Sequence, residues 1–185
     1  MAIRPVVVYP NEVLTRPTRP VDPAEEDLRE LVRDMVETMH AEAGVGLAAN
    51  QVGDGRRLFV LDISGGEDPD QVQVLINPEI VETKGKQQGE EGCLSFPGVF
   101  ESITRPEMAR VRYTNMEGQS AEQEMHGFPA RAVLHEVDHL DGVTFLQRMS
   151  PLKRKLVLRR IKKMQQAGEW PETVLLEPPK SRTGE

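Results

Sequence analysis

The sequence predicts an α+β fold, because short strand patterns occupy the middle of the chain and helical patterns lie on either side. Residues 57–63 and 72–76 are rich in aliphatic side chains, and residues 109–113 alternate apolar with basic ones. Asn77-Pro78 is one of the turn signals between them. We expect mainly antiparallel sheets around a central helix, with one helix towards the N-terminus and one towards the C-terminus.

The first and last helices have clear start signals. Asp22-Pro23 combines a capping residue with a proline suited to the first helical position, so we expect the first helix to begin there. Apolar residues then recur at helical spacing from Leu28 to Met39. Ser150-Pro151 predicts the start of the last helix in the same way. The residues of this last helix that we expect in the core are Leu152, Leu156, Val157, Ile161 and Met164.

The composition is typical of a soluble globular protein. The chain has 185 residues, 38% of them apolar and 29% charged, which corresponds to about one domain. We expect a single domain over residues 1–168 and a flexible tail over residues 169–185, where proline and glutamate are frequent. No segment is apolar enough for a membrane span, and the net charge of −7 disfavours DNA binding. No targeting signal is evident, so the predicted location is the cytoplasm.

The central helix, predicted over residues 128–140, carries the sequence HEVDH. His135 and His139 are four residues apart and therefore lie on one helical face, where they can bind the same metal ion. Glu136 lies one step round the helix, where it could reach a water on that metal. The sequence thus predicts a central metal-binding helix.

A catalytic site of this kind needs a third protein ligand, and no histidine follows His139. His126 and His40 are upstream candidates. Cys93 is the better candidate, because a thiolate binds transition metals strongly and the chain has no other cysteine. The alternative is a closed structural metal site with His126 as a fourth ligand.

Two further segments complete a resemblance to a known family. Residues 44–51 read GVGLAANQ and residues 91–95 read EGCLS. Together with HEVDH, in this order, they resemble the three signature motifs of bacterial peptide deformylases. The resemblance extends from about Tyr9-Pro10 to Ser150-Pro151, and the long last helix resembles that of the type I branch.

The resemblance implies a hydrolase that removes the N-formyl group from the formyl-methionine of newly synthesised proteins and releases formate. The metal ligands would be Cys93, His135 and His139. Family members most often use Fe²⁺, and Zn²⁺, Ni²⁺ or Co²⁺ also suit these ligands. Glu136 would take a proton from the metal-activated water and pass it to the leaving amine. The alternative function is that of another HExxH-type metallopeptidase.

The resemblance also implies roles for residues around the metal. The Gln51 side chain and the Leu94 backbone N–H would stabilise the developing oxyanion. The segment Gly44, Val45 and Gly46 would hydrogen-bond the peptide main chain, as in β-strand addition. The predicted pocket for the methionine side chain consists of Phe128, Ala132 and Val133.

Two charged features have predicted roles of their own. We expect Arg105 to bridge Glu91 and Asp138, because a guanidinium can bind carboxylates at two edges, and this bridge would hold the metal ligands in register. The last helix has an uninterrupted set of basic residues, which a ribosome could bind, as it does in type I relatives. These basic residues are Lys153, Arg154, Lys155, Arg159, Arg160, Lys162 and Lys163.

Overall fold

The computed structural model describes residues 2–174 and confirms an α+β fold. The helices of this described part are α1 (Leu28–Ala41), α2 (Gly127–Leu140) and α3 (Pro151–Gln166). Its strands are β1 (Val6–Val7), β2 (Gly46–Ala48), β3 (Leu58–Leu61), β4 (Gln73–Lys84), β5 (Gln87–Gly92), β6 (Phe100–Arg105), β7 (Met108–Thr114), β8 (Ser120–His126) and β9 (Thr173–Val174). None of the described helices is long and apolar enough to cross a membrane.

All strand pairs between these elements are antiparallel, as expected. The main sheet has five strands in the order β2-β3-β4-β7-β8. Strands β5 and β6 form a separate pair, and β1 pairs with β9. Strand β2 therefore lies at one edge of the main sheet, where its outer side has no neighbouring strand among the described residues.

Helices α1 and α2 pack on opposite faces of the main sheet. Successive side chains of a strand point to opposite faces, and all four residues of β3 are buried. Leu58 and Val60 join the apolar cluster around α1, whereas Phe59 and Leu61 join the cluster around α2. The central position of α2 follows from this arrangement, since its own apolar face covers one side of the sheet.

Helix α3 uses a narrower apolar face than the sequence indicated. Val157 and Ile161 are buried, and Met164 is partly buried against the same cluster. The prediction that Leu152 and Leu156 face the core is wrong, because their exposed fractions are 68% and 53%. These two residues are four apart and share a helix face that the rest of the domain does not cover.

The first helix also begins later than predicted. Asp22 starts a separate turn, in which its carboxylate accepts a hydrogen bond from Ala24 N at 2.9 Å and its carbonyl oxygen accepts one from Glu25 N at 3.0 Å. Helix α1 starts at Leu28, the first residue of the predicted stripe and a fully buried one. The capping signal at Asp22 therefore stabilises a turn and not the start of the helix.

Residues 169–174 differ from the predicted flexible tail. Trp170 is buried beside α3, and its indole Nε1 donates a hydrogen bond to Tyr9 O at 2.6 Å. Strand β9 follows at once and pairs Val174 with Val6. The remaining part of the predicted tail, residues 175–185, lies outside the described residues.

Candidate active site

Helix α2 presents both motif histidines to the same space. The helix runs directly on from strand β8, with Gly127 at a φ of 58°. His135 and His139 are buried, and their Nε2 atoms lie 3.2 Å apart. Two nitrogen ligands at ~2.0–2.1 Å from one tetrahedral metal ion lie ~3.3 Å apart, so this separation suits a shared ion.

The third candidate ligand comes from the loop that follows β5. Cys93 Sγ lies 3.2 Å from His139 Nε2. The ligand atoms of Cys93, His135 and His139 all lie within 4.8 Å of one another, and no fourth His, Cys, Asp or Glu in residues 2–174 joins them. One thiolate and two imidazoles form a donor set for a transition metal, with a coordination position left open.

The other two histidines considered as ligands lie elsewhere. The His40 ring pairs through Nε2 with the buried Asp62 carboxylate at 2.7 Å. The largely exposed His126 ring lies beside Glu124, with Nε2 3.0 Å from Oε1. The described residues therefore offer no support for a closed structural site that uses His126.

Glu136 lies next to the histidine pair in a buried environment. Its carboxylate is buried, and Oε2 has no hydrogen-bond partner within the described part of the chain. Burial raises the pKa of Glu136 to about 7. The carboxylate lies directly against the backbone of Gly46, since a Cβ at that position would be 2.5 Å from Glu136 Oε1. A group with a pKa near neutrality can both accept and return a proton.

The Gln51 side chain is held by a backbone N–H three residues earlier in the chain, and its amide nitrogen faces the loop that contains Cys93. Its Oε1 accepts a hydrogen bond from Ala48 N at 2.9 Å. Its Nε2 donates to Ser95 Oγ at 3.2 Å and lies 3.6 Å from Cys93 Sγ. Leu94 lies between Cys93 and Ser95 in the sequence, and both Gln51 and Leu94 line the cavity that the candidate ligands Cys93 and His135 also line.

The cavity has a volume of about 450 Å³, and one of its walls is the segment that leads into the edge strand β2 and includes its first residue. Gly44, Val45 and Gly46 all line it. The carbonyl of Val45 accepts a hydrogen bond from Asp62 N at 2.8 Å, which fixes this segment to the chain after β3. The unpaired side of a strand edge offers backbone groups to an extended peptide.

Two of the three residues predicted for the methionine pocket line the cavity. Phe128 lies there with an exposed fraction of 52%, and Ala132 lies deeper and is buried. The prediction for Val133 is wrong, because this side chain is fully buried in the cluster between α2 and the main sheet. Residues two apart on a helix do not face the same side, so Val133 points away from His135. Arg131 lines the cavity in its place.

The structure brings together the three charged residues expected to support the site. Arg105 donates from Nε and Nη2 to the two carboxylate oxygens of Glu91, at 2.6 and 2.9 Å. Its Nη1 donates to Asp138 Oδ2 at 2.7 Å. The second oxygen of Glu91 also accepts a hydrogen bond from His135 Nδ1 at 3.1 Å. In the neutral ring, this bond places the proton on Nδ1, so that Nε2 is the atom that can bind metal.

These contacts shift the pKa values of Glu91 and His135. Burial alone would raise the pKa of Glu91, but hydrogen bonds from His135 and Arg105 outweigh it and hold the pKa well below its usual range. Burial would likewise lower the pKa of His135, but hydrogen bonds to Cys93 and Glu91 raise it to about 10. Burial and the charge of His135 lower the pKa of His139.

Sequence reasoning missed four residues of this site. Arg131 donates to Glu91, and Arg148 makes two hydrogen bonds to Asp138, one of them from Nε at 2.9 Å. The Ser95 hydroxyl receives the Gln51 amide, and Asn50 Nδ2 donates to the carbonyl of His139 at 2.6 Å. Arg131 had a usable signal because it precedes His135 by one helical turn, and Asn50 and Ser95 lie within the quoted motifs, whereas Arg148 had none.

Two buried histidines and a partly buried cysteine that could hold a metal ion, beside a carboxylate with a raised pKa, are the features of a metal-dependent hydrolase. The sequence profile described as "Polypeptide deformylase" matches residues 3–155. The peptide deformylase of Acidobacterium capsulatum is 52% identical over 170 residues, which cover 92% of this chain and 100% of that protein. The chain therefore belongs to the polypeptide deformylase family.

Solved structures agree with this assignment. A peptide deformylase from Legionella pneumophila superposes with a TM-score of 0.83 at 38% identity and covers 90% of this chain and 98% of its own. The enzyme from Thermus thermophilus superposes with a TM-score of 0.81 at 38% identity, with the same coverage. The family is metal-dependent, and its activity is the removal of the N-formyl group from nascent peptides.

Proposed function

We propose that this chain hydrolyses the formamide bond of N-formyl-methionyl peptides with Glu136 as general base beside a metal held by Cys93, His135 and His139. The observation that carries the assignment of roles is the cluster of Cys93, His135 and His139 ligand atoms, all within 4.8 Å of one another, beside the cavity that Glu136 also lines. The predicted single catalytic domain over residues 1–168 is the unit that we propose, and residues 169–174 pack onto it through Trp170 and β9. It works in the cytoplasm, where newly made chains are found.

Different residues of the site have different roles in the proposed reaction. A divalent metal at this site would lower the pKa of a bound water from about 15.7 towards ~7 and polarise the formyl oxygen. Glu136 accepts a proton as the water oxygen attacks the formyl carbon, and returns it to the amine as the C–N bond breaks and formate leaves. The Gln51 amide and the Leu94 N–H stabilise the negative charge that develops on the formyl oxygen. Each such donor is typically worth ~3 kcal/mol of barrier.

The substrate lies against the edge of the main sheet. Its backbone pairs with the Gly44–Gly46 segment, which lines the cavity at the open edge of the main sheet. The methionine side chain enters between Phe128 and Ala132. The unbranched thioether suits such an irregular apolar pocket, because methionine adapts readily to the shape of its surroundings.

Ferrous iron is the metal that we propose for this site in the cell. A set of one thiolate and two imidazoles suits Fe²⁺ and also Zn²⁺, Ni²⁺ and Co²⁺, so the protein's ligands do not select among them by type alone. Elemental analysis of protein purified without oxygen would show Fe in a ratio close to one per chain. A site filled by another metal under those conditions would contradict this choice.

We further propose that the basic surface of α3 binds the ribosome. All its basic residues except Lys153 are exposed, and Lys153 is partly covered by an ion pair with Glu101 at 3.2 Å. The exposed Leu152 and Leu156 lie among these charges. Co-sedimentation with ribosomes should weaken steeply as salt rises. Binding that survives removal of residues 150–185 would argue against this surface.

The activity itself is tested with three matched peptides. Metal-loaded protein should release formate from formyl-Met-Ala-Ser, and should leave acetyl-Met-Ala-Ser intact. Cleavage of an internal bond in unblocked Met-Ala-Ser peptides, without formate release, would identify another HExxH-type metallopeptidase. The absence of formate from the first peptide would overturn the proposed function.

A further inference from the structure

We infer that Arg131 is a positioning residue of the metal centre, which orients His135 through Glu91. Arg131 and His135 lie one turn apart on α2, and both side chains reach the same Glu91 carboxylate. Arg131 Nη1 donates to Oε1 at 2.6 Å, while His135 Nδ1 donates to Oε2 at 3.1 Å. Helix α2, which carries His135, therefore donates a hydrogen bond to each carboxylate oxygen of Glu91.

The contact between Arg131 and Glu91 is itself rigidly held. Nη1 also donates to the backbone carbonyls of Ile103 and Gly89, at 3.1 and 3.3 Å. The side chain is buried, and these carbonyls belong to β6 and β5. The guanidinium thus ties the β5–β6 pair, which precedes the Cys93 loop, to the helix that supplies the histidines.

Gly89 makes this arrangement possible. A Cβ at position 89 would lie 3.2 Å from Arg131 Nη2 and 3.3 Å from Cζ, closer than an ordinary van der Waals contact. The absence of a side chain at Gly89 therefore leaves the space that the guanidinium occupies. A methyl group at this position would displace the guanidinium by a few tenths of an ångström without removing its charge.

Arg105 holds Glu91 as well, but from a different direction. It binds both oxygens of Glu91 from strand β6, and it has no contact with the metal ligands in the described structure other than through Glu91 and Asp138. Arg131 adds the second point of attachment, on α2 itself, that prevents the carboxylate from rotating away from His135 Nδ1. Outer partners of metal-bound histidines typically change metal affinity or activity by about 10–100-fold when they are removed.

The network offers a matched control on its other side. Arg148 donates to Asp138 and not to Glu91, and its side chain does not line the cavity. The variants Arg131→Met and Arg148→Met remove the same charge from the same network. Only the first removes a contact to the carboxylate that orients a metal ligand.

The test is a titration of the metal-free protein with Co²⁺ under anaerobic conditions, followed through the visible absorption of the bound ion. The full chain is used, and a competing chelator gives the dissociation constant. We expect Arg131→Met to weaken Co²⁺ binding by about tenfold or more and to alter the absorption spectrum at saturation. We expect Arg148→Met to bind Co²⁺ within about threefold of the parent and to keep its spectrum.

Gly89→Ala keeps the assignment testable if Arg131→Met does not fold. This variant should change the spectrum in the same direction as Arg131→Met, and by less. Equal weakening in Arg131→Met and Arg148→Met, or a parental spectrum in a folded Arg131 or Gly89 variant, would overturn the positioning role. Because the readout is metal binding, failure here is distinct from a failure to release formate, which would overturn the proposed function.

Discussion

The Glu136 carboxylate lies between the metal ligands and the wall proposed to bind the peptide, and Gly46 leaves the space for it. A Cβ at position 46 would lie 2.5 Å from Oε1 and 2.9 Å from the carboxyl carbon of Glu136. The sequence showed a glycine-rich segment and an HExxH glutamate, but their contact depends on how α2 crosses the edge strand. The order of residues along the chain does not show how α2 and β2 pack against each other.

Gly46→Ala should therefore displace the general base without touching a metal ligand. We expect kcat to fall at least tenfold, because loss of general-base catalysis typically costs ~10²–10⁴-fold and the base would be displaced but not removed. Metal content, measured by elemental analysis, should stay at the parental level. Gly55→Ala is the matched control, since a Cβ there would meet nothing within 4 Å. Equal kcat values for the two variants would contradict the close contact.

Arg105 is the residue on which the charge network most depends for stability. It is buried and binds two buried carboxylates, Glu91 and Asp138. Arg105→Met should lower the free energy of unfolding by about 3–5 kcal/mol, because it breaks the buried ion pairs with both acids and leaves each with fewer hydrogen bonds to its charge. Urea denaturation measures the loss. The control Arg112→Met removes an exposed cation, which should cost no more than about 1 kcal/mol. Similar losses in the two variants would show that the buried network adds no stability.

Among the helices and strands, the sequence predicted those whose apolar pattern lies within the element itself. Helix α2 was expected over residues 128–140 and occupies Gly127–Leu140, because its apolar periodicity lies wholly within the segment. Strand β5 was missed because its sequence, QQGEEG, has no apolar alternation. It becomes a strand only because β6 pairs with it along its whole length. Strand β4 was cut short at Asn77-Pro78, where the structure has a register shift and continues to Lys84.

The C-terminal segment gives the element-scale prediction. Trp170 closes the cluster between α3 and the N-terminal residues, and its indole is hydrogen-bonded to Tyr9 O. Trp170→Ala should lower the free energy of unfolding by about 3–5 kcal/mol, as expected for removal of a large buried aromatic side chain. Circular dichroism should follow the unfolding, because the variant has no tryptophan fluorescence. A loss below about 1 kcal/mol would mean that residues 169–174 form the loose tail that the sequence suggested.

For the whole molecule, metal binding and protonation compete at one site. Hydrogen bonds to Cys93 and Glu91 raise the pKa of His135 to about 10, so the metal-free protein holds a proton there at neutral pH. Metal binding must release that proton, because only the neutral imidazole is a ligand.

The apparent metal affinity should therefore increase with pH, by about tenfold per pH unit for each proton released. Chelator competition between pH 6 and 8 measures this slope. The thermal unfolding temperature of the metal-loaded protein should rise over the same interval, because a ligand that binds only the folded state stabilises it. An affinity that is independent of pH would contradict a protonated His135 in the metal-free state.

The central claim is that Glu136 moves the proton at a metal site built from Cys93, His135 and His139. It is tested most directly by formate release from formyl-Met-Ala-Ser in Glu136→Gln and parental proteins of equal, measured metal content. The amide keeps the size of the side chain but cannot take a proton from water. The account predicts full metal content and a kcat lower by about 10²–10⁴-fold in Glu136→Gln. Formate release at the parental rate from fully loaded Glu136→Gln would contradict it.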